Sequence, residues 1–287
     1  MDISNIVSTE FEEVEPETRV SKLRGIFEET NIKAVIVVDK PGYQGIVTQR
    51  ELISSHLNPG QKASSVMRNA PKVTKHEDVR EVARLMVESN SKVLPVFEGD
   101  SLYGVITAND LLEEVNSYLN VLSVEDVYTQ NLITVGTETT VGEIINKLRE
   151  NAISRVPVVD EGRLEGIVTI YDIIGFTVRD ESKTKGGGSE SYGGLGSRQG
   201  EMKRMLDIPA RDVMNSPVET TNPDEPLDNV VDRMIEMNYS SLVVVSPDTG
   251  EPIGVVTKTD ILRSLTWEEE GRMDVQISNI DYLDTMS

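Results

Sequence analysis

The chain has 287 residues, 38% of them hydrophobic, and 49 acids against 28 bases give it a net charge of −21. The length predicts about two domains, and the charge predicts a surface that as a whole repels nucleic acid. With no cysteine, the sequence excludes disulfides, thiolate catalysis and cysteine metal sites.

The acidity and the scarcity of lysine also fit a salt-loving organism, since salt screens self-repulsion. No run approaches the roughly 18 apolar residues of a membrane span. The opening Met1-Asp2-Ile3-Ser4-Asn5 has neither the basic nor the apolar region of a secretory signal. A cytoplasmic protein without membrane contact is expected. His56 and His76 are isolated in sequence and read as surface polar residues near helix ends.

In chain order, a first helix is predicted by Val20, Leu23 and Phe27 at helical spacing, with Arg24 breaking the stripe. The short β-branched run Ala34-Val35-Ile36-Val37-Val38-Asp39 reads as a strand and Pro41-Gly42 as a turn. Then comes Gly45-Ile46-Val47-Thr48-Gln49-Arg50-Glu51-Leu52-Ile53: glycine, two aliphatics, threonine, two variable residues, an acid and two aliphatics. The same form returns at residues 104–112, 166–174 and 254–262. Each copy follows a helical stripe, namely Val79, Val82, Ala83 and Met86, then Val141, Ile144, Ile145 and Leu148, then Leu227, Val230, Val231 and Met234. Between stripe and phrase lie the strand runs Val93–Glu98, Val156–Asp160 and Leu242–Ser246. The predicted order is helix, strand, strand, helix, four times, a duplicated supersecondary unit.

The four threonines are 59, 62 and 88 residues apart, and the long third gap contains the Gly- and Ser-rich residues 183–200, which read as a flexible linker. One unit of about 55 residues has too little core to stand alone, and pairing two units solves that. The expected division is a first pair over 1–119 (repeats 1–58 and 62–119) and a second over 120–266 (repeats 123–179 and 208–266). A tail, 267–287, follows and reads as one strand that could open a further domain.

At these residues the chain resembles the cystathionine-β-synthase (CBS) domain family. Val66-Met67-Arg68-Asn69-Ala70-Pro71 and Val213-Met214-Asn215-Ser216-Pro217 look like the family's repeat openings, and Val156-Pro157-Val158-Val159-Asp160 like its central strand. The resemblance implies an α/β fold built of α+β repeats, four of them paired into two pseudo-twofold modules, with clefts for adenosine-containing ligands. An archaeal, halophilic source is expected.

Threonine-x-x-acid before an apolar pair is also a helix capping box, and four good helix starts need no ligand. The same geometry suits binding. A helix N-terminus offers free amides to a phosphate, the threonine hydroxyl adds a hydrogen bond, and an aspartate one turn along can accept from both ribose hydroxyls. The family resemblance places those roles on Thr107 with Asp110, Thr169 with Asp172, and Thr257 with Asp260. Thr48 with Glu51 departs from the pattern, because the longer acid crowds the ribose. Arg155 and Lys258 could balance phosphates or be solvated surface charges. The expected ligands are AMP, ADP or ATP, with S-adenosylmethionine as another, and neither a metal nor a catalytic residue is expected.

Between Arg179 and Arg204 six basic residues accompany four acids, so a solubilising linker could also touch a polyanion such as RNA. In the tail, Met273, Val275 and Ile277 alternate with polar residues as in a strand. Some longer archaeal CBS-repeat proteins resemble this layout and carry a C-terminal domain similar to ribosome-hibernation factors. The expected function is a non-enzymatic regulator that binds adenine nucleotides between paired repeats and signals to an unidentified protein partner, as a homodimer formed through its modules. The alternatives are a ribosome- or RNA-associated protein using the repeats as scaffold, and an enzyme-regulatory subunit.

Overall fold

The structure is a computed structural model that describes residues 1–30, 32, 34–40, 42–48, 51–52, 60–173 and 206–266. The linker 183–200, the tail 267–287 and His56 lie outside the described residues.

The fold is mixed α+β, with four small sheets of like topology. In repeat 1, helix α1 (Val20–Thr30) precedes strands β2 (Ala34–Asp39) and β3 (Gly42–Thr48). Repeat 2 has α3 (Val79–Glu88), β5 (Val93–Glu98), β6 (Ser101–Thr107) and α4 (Ala108–Val115). Repeat 3 has α6 (Val141–Glu150), β8 (Arg155–Asp160) and β9 (Arg163–Thr169). Repeat 4 has α7 (Leu227–Glu236), β11 (Ser241–Val245), β12 (Pro252–Thr257) and α8 (Lys258–Ser264). Two short helices, α2 (Ala63–Val66) and α5 (Val124–Val127), stand between repeats.

The central strand of each hairpin gains a two-residue parallel neighbour: β1 (Glu13–Val14), β4 (Val73–Thr74), β7 (Val135–Gly136) or β10 (Thr220–Thr221). These fragments are too short to show a period in the sequence. All four hairpins shift register at one place, between Val37 and Val38, Val96 and Phe97, Val158 and Val159, or Val244 and Val245. Such a bulge twists the ribbon locally. Pro95 and Pro157 sit in central strands opposite Val105 and Ile167. Val105 and Ile167 turn their amide and carbonyl outward, so the proline pairs are non-hydrogen-bonded and no hairpin ladder bond is lost.

What Val105 and Ile167 bond to is the main organising feature. Residues 1–8 lie on repeat 2, where Ser8 and Val105 exchange two backbone hydrogen bonds of 2.9 and 2.8 Å. Residues 62–68 lie back on repeat 1, where Arg68 and Ile46 do the same at 2.9 Å. Repeats 3 and 4 repeat the exchange, through Thr129 on Val255 and Asn215 on Ile167. Each repeat therefore wears the strap of its partner. The glycine opening the fourfold phrase is where the strap crosses. A Cβ on Gly104 would lie 2.4 Å from the Ser8 carbonyl oxygen, and one on Gly254 would lie 2.6 Å from that of Thr129.

The sheets bury both faces, which is why the central runs read as continuously apolar. In repeat 1, Val35, Val37 and Val47 pack with Val20, Leu23 and Phe27 of the preceding helix, while Ile36 and Ile46 join Leu94 and Ile106 of repeat 2. The helical stripes then pack across the pairs. One core unites Val79, Val82, Leu111 and Leu112 of repeat 2 with Val230, Met234, Ile261 and Leu262 of repeat 4, and a second unites repeats 1 and 3. Each fully buried leucine or valine contributes about 1.5–3 kcal/mol. Arg24, which broke the first stripe in the sequence, is buried with it at 4% exposure.

Candidate functional site

Each copy of the phrase places threonine at a strand end and its acid in the first helical turn. The amide of Thr107 donates to Asp110 Oδ2 at 2.7 Å, and Asp110 returns its own amide to the threonine hydroxyl at 3.3 Å. Thr257 and Asp260 form the same box at 3.0 and 3.2 Å, and Thr169 and Asp172 at 2.7 and 3.4 Å. The amide of Thr48 donates to Glu51 Oε2 at 2.8 Å, and its hydroxyl donates to the same oxygen. The junctions at Thr107, Thr169 and Thr257 are thus capped helix starts, worth about 1 kcal/mol each. Aspartate serves as well as glutamate because the threonine amide lies within reach of the shorter side chain.

The cap occupies one carboxylate oxygen, and the four sites differ in what holds the other. Among the described residues, nothing donates to the second oxygen of Asp110. That of Asp260 accepts from Arg263, one turn along the same helix, at 3.1 Å. That of Asp172 accepts from Asn215 Nδ2 at 2.6 Å. That of Glu51 pairs with Arg68 Nε at 3.1 Å, and Arg68 also donates to the Ser89 carbonyl at 3.3 Å.

Arg155 and Lys258 are not solvated surface charges. Lys258, the first residue of α8, is 3% exposed, and its Nζ donates to Asn109 Oδ1 at 2.6 Å and to the Met234 carbonyl at 3.3 Å. It therefore ties the helix start of repeat 4 to that of repeat 2. Arg155 begins β8 and reaches from repeat 3 into repeat 4. It donates to Ser154 Oγ at 3.1 Å, to Ser240 Oγ at 2.5 Å, and to Ser241 Oγ. Burial pulls the guanidinium down to about 10, against the opposing pull of Tyr171, Asp172 and Asp260 nearby. Burial likewise pushes the Tyr171 phenol up to about 12, partly offset by Arg155. Arg155 therefore lies among three serine hydroxyls, with the Tyr171 phenol and the capped Asp172 and Asp260 near enough to act on its charge.

Ser154, Ser240, Ser241, Tyr171, Asn109, Asn215 and Arg68 were not among the expected site residues. Ser154 and Ser240 occupy the same column, immediately before the central strand, and aligning the repeats there would have exposed them. Arg68 and Asn215 lie inside quoted repeat openings, but their contacts depend on the strap crossing to the partner repeat. His76 is at the surface, 3.1 Å from Asp2. Among the described residues no group of three or more His, Asp or Glu is placed to hold a metal ion, and no helix is long and apolar enough to cross a membrane.

A family model for the CBS domain matches residues 3–58, 63–117, 124–178 and 210–266. The chain belongs to the CBS-domain family, with four repeats. Among curated relatives, the uncharacterized protein MJ1404 of Methanocaldococcus jannaschii is 26% identical over 279 residues, covering 94% of this chain. An inosine-5'-monophosphate dehydrogenase of Staphylococcus haemolyticus is 31% identical over 154 residues, half of this chain and 30% of that enzyme. The chain spans 63% of MJ1404 and less of the dehydrogenase. The crystal structure of MJ1225 from Methanocaldococcus jannaschii shares the fold, with a TM-score of 0.78 at 18% identity over 92% of this chain and 99% of that one.

Proposed function

We propose that this is a regulatory, non-catalytic protein that binds adenine nucleotides in clefts between paired repeats and passes the ligand state to a partner protein. The observation that carries the reading is Arg155. Among the described residues this half-buried guanidinium bonds only to serine hydroxyls, which compensate its charge incompletely. A phosphate against it would supply charge-assisted hydrogen bonds. Asp172 and Asp260, near enough to act on its charge, are the two acids in that pair suited to accept from ribose hydroxyls. AMP, ADP and ATP use both features. S-adenosylmethionine, which lacks a phosphate, would use only the acids.

The mechanism is linkage. A ligand that bridges two repeats favours the packing in which it fits, and it shifts the equilibrium only by its differential affinity for the two packings. Its stabilisation of the fold grows with the logarithm of ligand concentration. Self-association would have to use a surface other than the helical faces of repeats 2 and 4, which cover each other within one chain.

A thermal-shift panel with AMP, ADP, ATP and S-adenosylmethionine, on the parent and on Asp110→Ala, Asp172→Ala and Asp260→Ala, tests the reading. A ligand-induced rise in Tm that each substitution diminishes is expected. A rise that survives all three would sink the site assignment. No rise with any of the four would favour a scaffold that serves a ribosome- or RNA-associated protein.

A further inference from the structure

The straps carry one residue in register with each phrase: Ser8 on repeat 2, Arg68 on repeat 1, Thr129 on repeat 4 and Asn215 on repeat 3. The backbone arrangement is the same in all four, with paired hydrogen bonds to the residue after the phrase's glycine. The side chains differ in length and charge, and the acids respond. Arg68 takes the second oxygen of Glu51 in an ion pair whose side chains are 24% and 14% exposed. Asn215 takes the second oxygen of Asp172 at 2.6 Å. Ser8 turns its hydroxyl to the Glu10 carbonyl at 3.1 Å, and among the described residues no strap side chain bonds to Asp110. The second oxygen of Asp260 accepts from Arg263 of its own helix; that arginine is half exposed, and the aspartate is 8% exposed.

We infer that the strap residue at this position sets which repeats can take a ribose. Arg68 closes repeat 1, Asn215 latches repeat 3, and Ser8 leaves repeat 2 open, while in repeat 4 the strap does not hold Asp260, which is 8% exposed and paired with Arg263 of its own helix. This rests on the nucleotide reading above and adds an order of filling to it. A carboxylate oxygen can accept more than one hydrogen bond, so the strap acts by covering the face of the second oxygen that a ribose hydroxyl would have to reach. In repeat 1 the obstacle is a shielded ion pair and in repeat 3 a more exposed amide–carboxylate bond, so repeat 3 fills later than repeat 2, and repeat 1 not at all. The control is steric and electrostatic, and it belongs to the neighbouring repeat, because each strap comes from the partner.

Two substitutions move the device in opposite directions. Asn215→Thr places at repeat 3 the residue that repeat 4 already carries in the same register, so the fold accommodates it. Ser8→Arg places at repeat 2 the residue that closes repeat 1. The measurement is isothermal titration of AMP, ADP, ATP and S-adenosylmethionine into the parent, each variant, and Asn215→Thr combined with Asp172→Ala. Losing one competing hydrogen bond predicts that Asn215→Thr tightens one class of sites by roughly 3- to 10-fold. The added Asp172→Ala should abolish that gain. Ser8→Arg should remove one site per chain, with its circular dichroism unchanged. Parent-like stoichiometry and affinity in both single variants overturns the inference while leaving nucleotide binding intact. No binding of any of the four ligands to any protein overturns the nucleotide reading and the inference with it.

Discussion

The two pairs of repeats share a backbone plan and differ at the start of their central strands. In the second pair, Arg155 and Ser241 stand at the first residue of β8 and β11. In the first pair the same positions hold Ala34 and Val93. Strap exchange, hairpin bulge and capped helix occur in both, so these features belong to the fold. The arginine at a central-strand start occurs in one. Within one architecture, the pairs therefore differ in a few columns at the strand ends, and the repeated phrase supplies the frame they share. The glycine lets the strap cross, the aliphatics fill the core, and threonine and acid cap the helix.

The sharpest way to break the comparison is to attack what the pairs share. Gly104→Ala and Gly254→Ala drive a methyl against a strap backbone oxygen in one pair each. Each is expected to cost about 3 kcal/mol, the upper range for overpacking, read as a lowered midpoint in urea. Gly166→Ala meets the side chain of Met214, which can move, and should cost clearly less. Equal losses at all three positions would show that strap approach does not govern stability.

The next test attacks what the pairs do not share. Arg155→Met removes a cation whose burial is unfavourable and keeps the bulk of the side chain. The ligand-free chain should be as stable as the parent or more so. Affinity for AMP should fall roughly tenfold or more, the loss of a hydrogen bond to a charged group, while S-adenosylmethionine should be unaffected. Weakening of both ligands alike, measured by titration, would mean that Arg155 shapes the cleft and does not hold phosphate.

The smallest effect concerns the first strap. Hydrogen bonds from Ser4, and then the His76 partner, hold the Asp2 carboxyl down at about 2. A depressed acid stabilises the fold above its ordinary pKa and loses that contribution as pH falls through the folded value. Protection of the Ile3 and Ser8 amides against exchange, relative to the unfolded chain, should fall from about pH 4 toward pH 2 in the parent, and Asp2→Asn should flatten that slope. An identical slope in the variant would remove Asp2 from the strap's attachment.

Much of this was legible in the sequence because it is local. The phrase marks strand end and helix start, since β-branched runs and threonine-x-x-acid each act within a few residues. The stripes at Val79, Val141 and Leu227 mark the buried helical faces for the same reason. What was not legible depends on distant partners. Arg24 and Lys258 look like surface charges until a second repeat packs over them. Asn215 sits in a motif that could be read as the opening of its own repeat, yet its side chain acts on Asp172, 43 positions earlier. No periodicity encodes which sheet a strap will cross.

That crossing has a consequence for how the chain comes to be folded. Residues 1–8 have no docking place until Val105 has been synthesised, and the strap at Thr129 must wait for Val255. Closing spans of that length is entropically costly and slows folding relative to local contacts. A nascent repeat 1 therefore emerges with its own strap hanging free and its Gly45 groove empty until residue 68 arrives. The smallest piece that can mature during translation is two repeats, and any cut that separates them leaves two grooves without their straps.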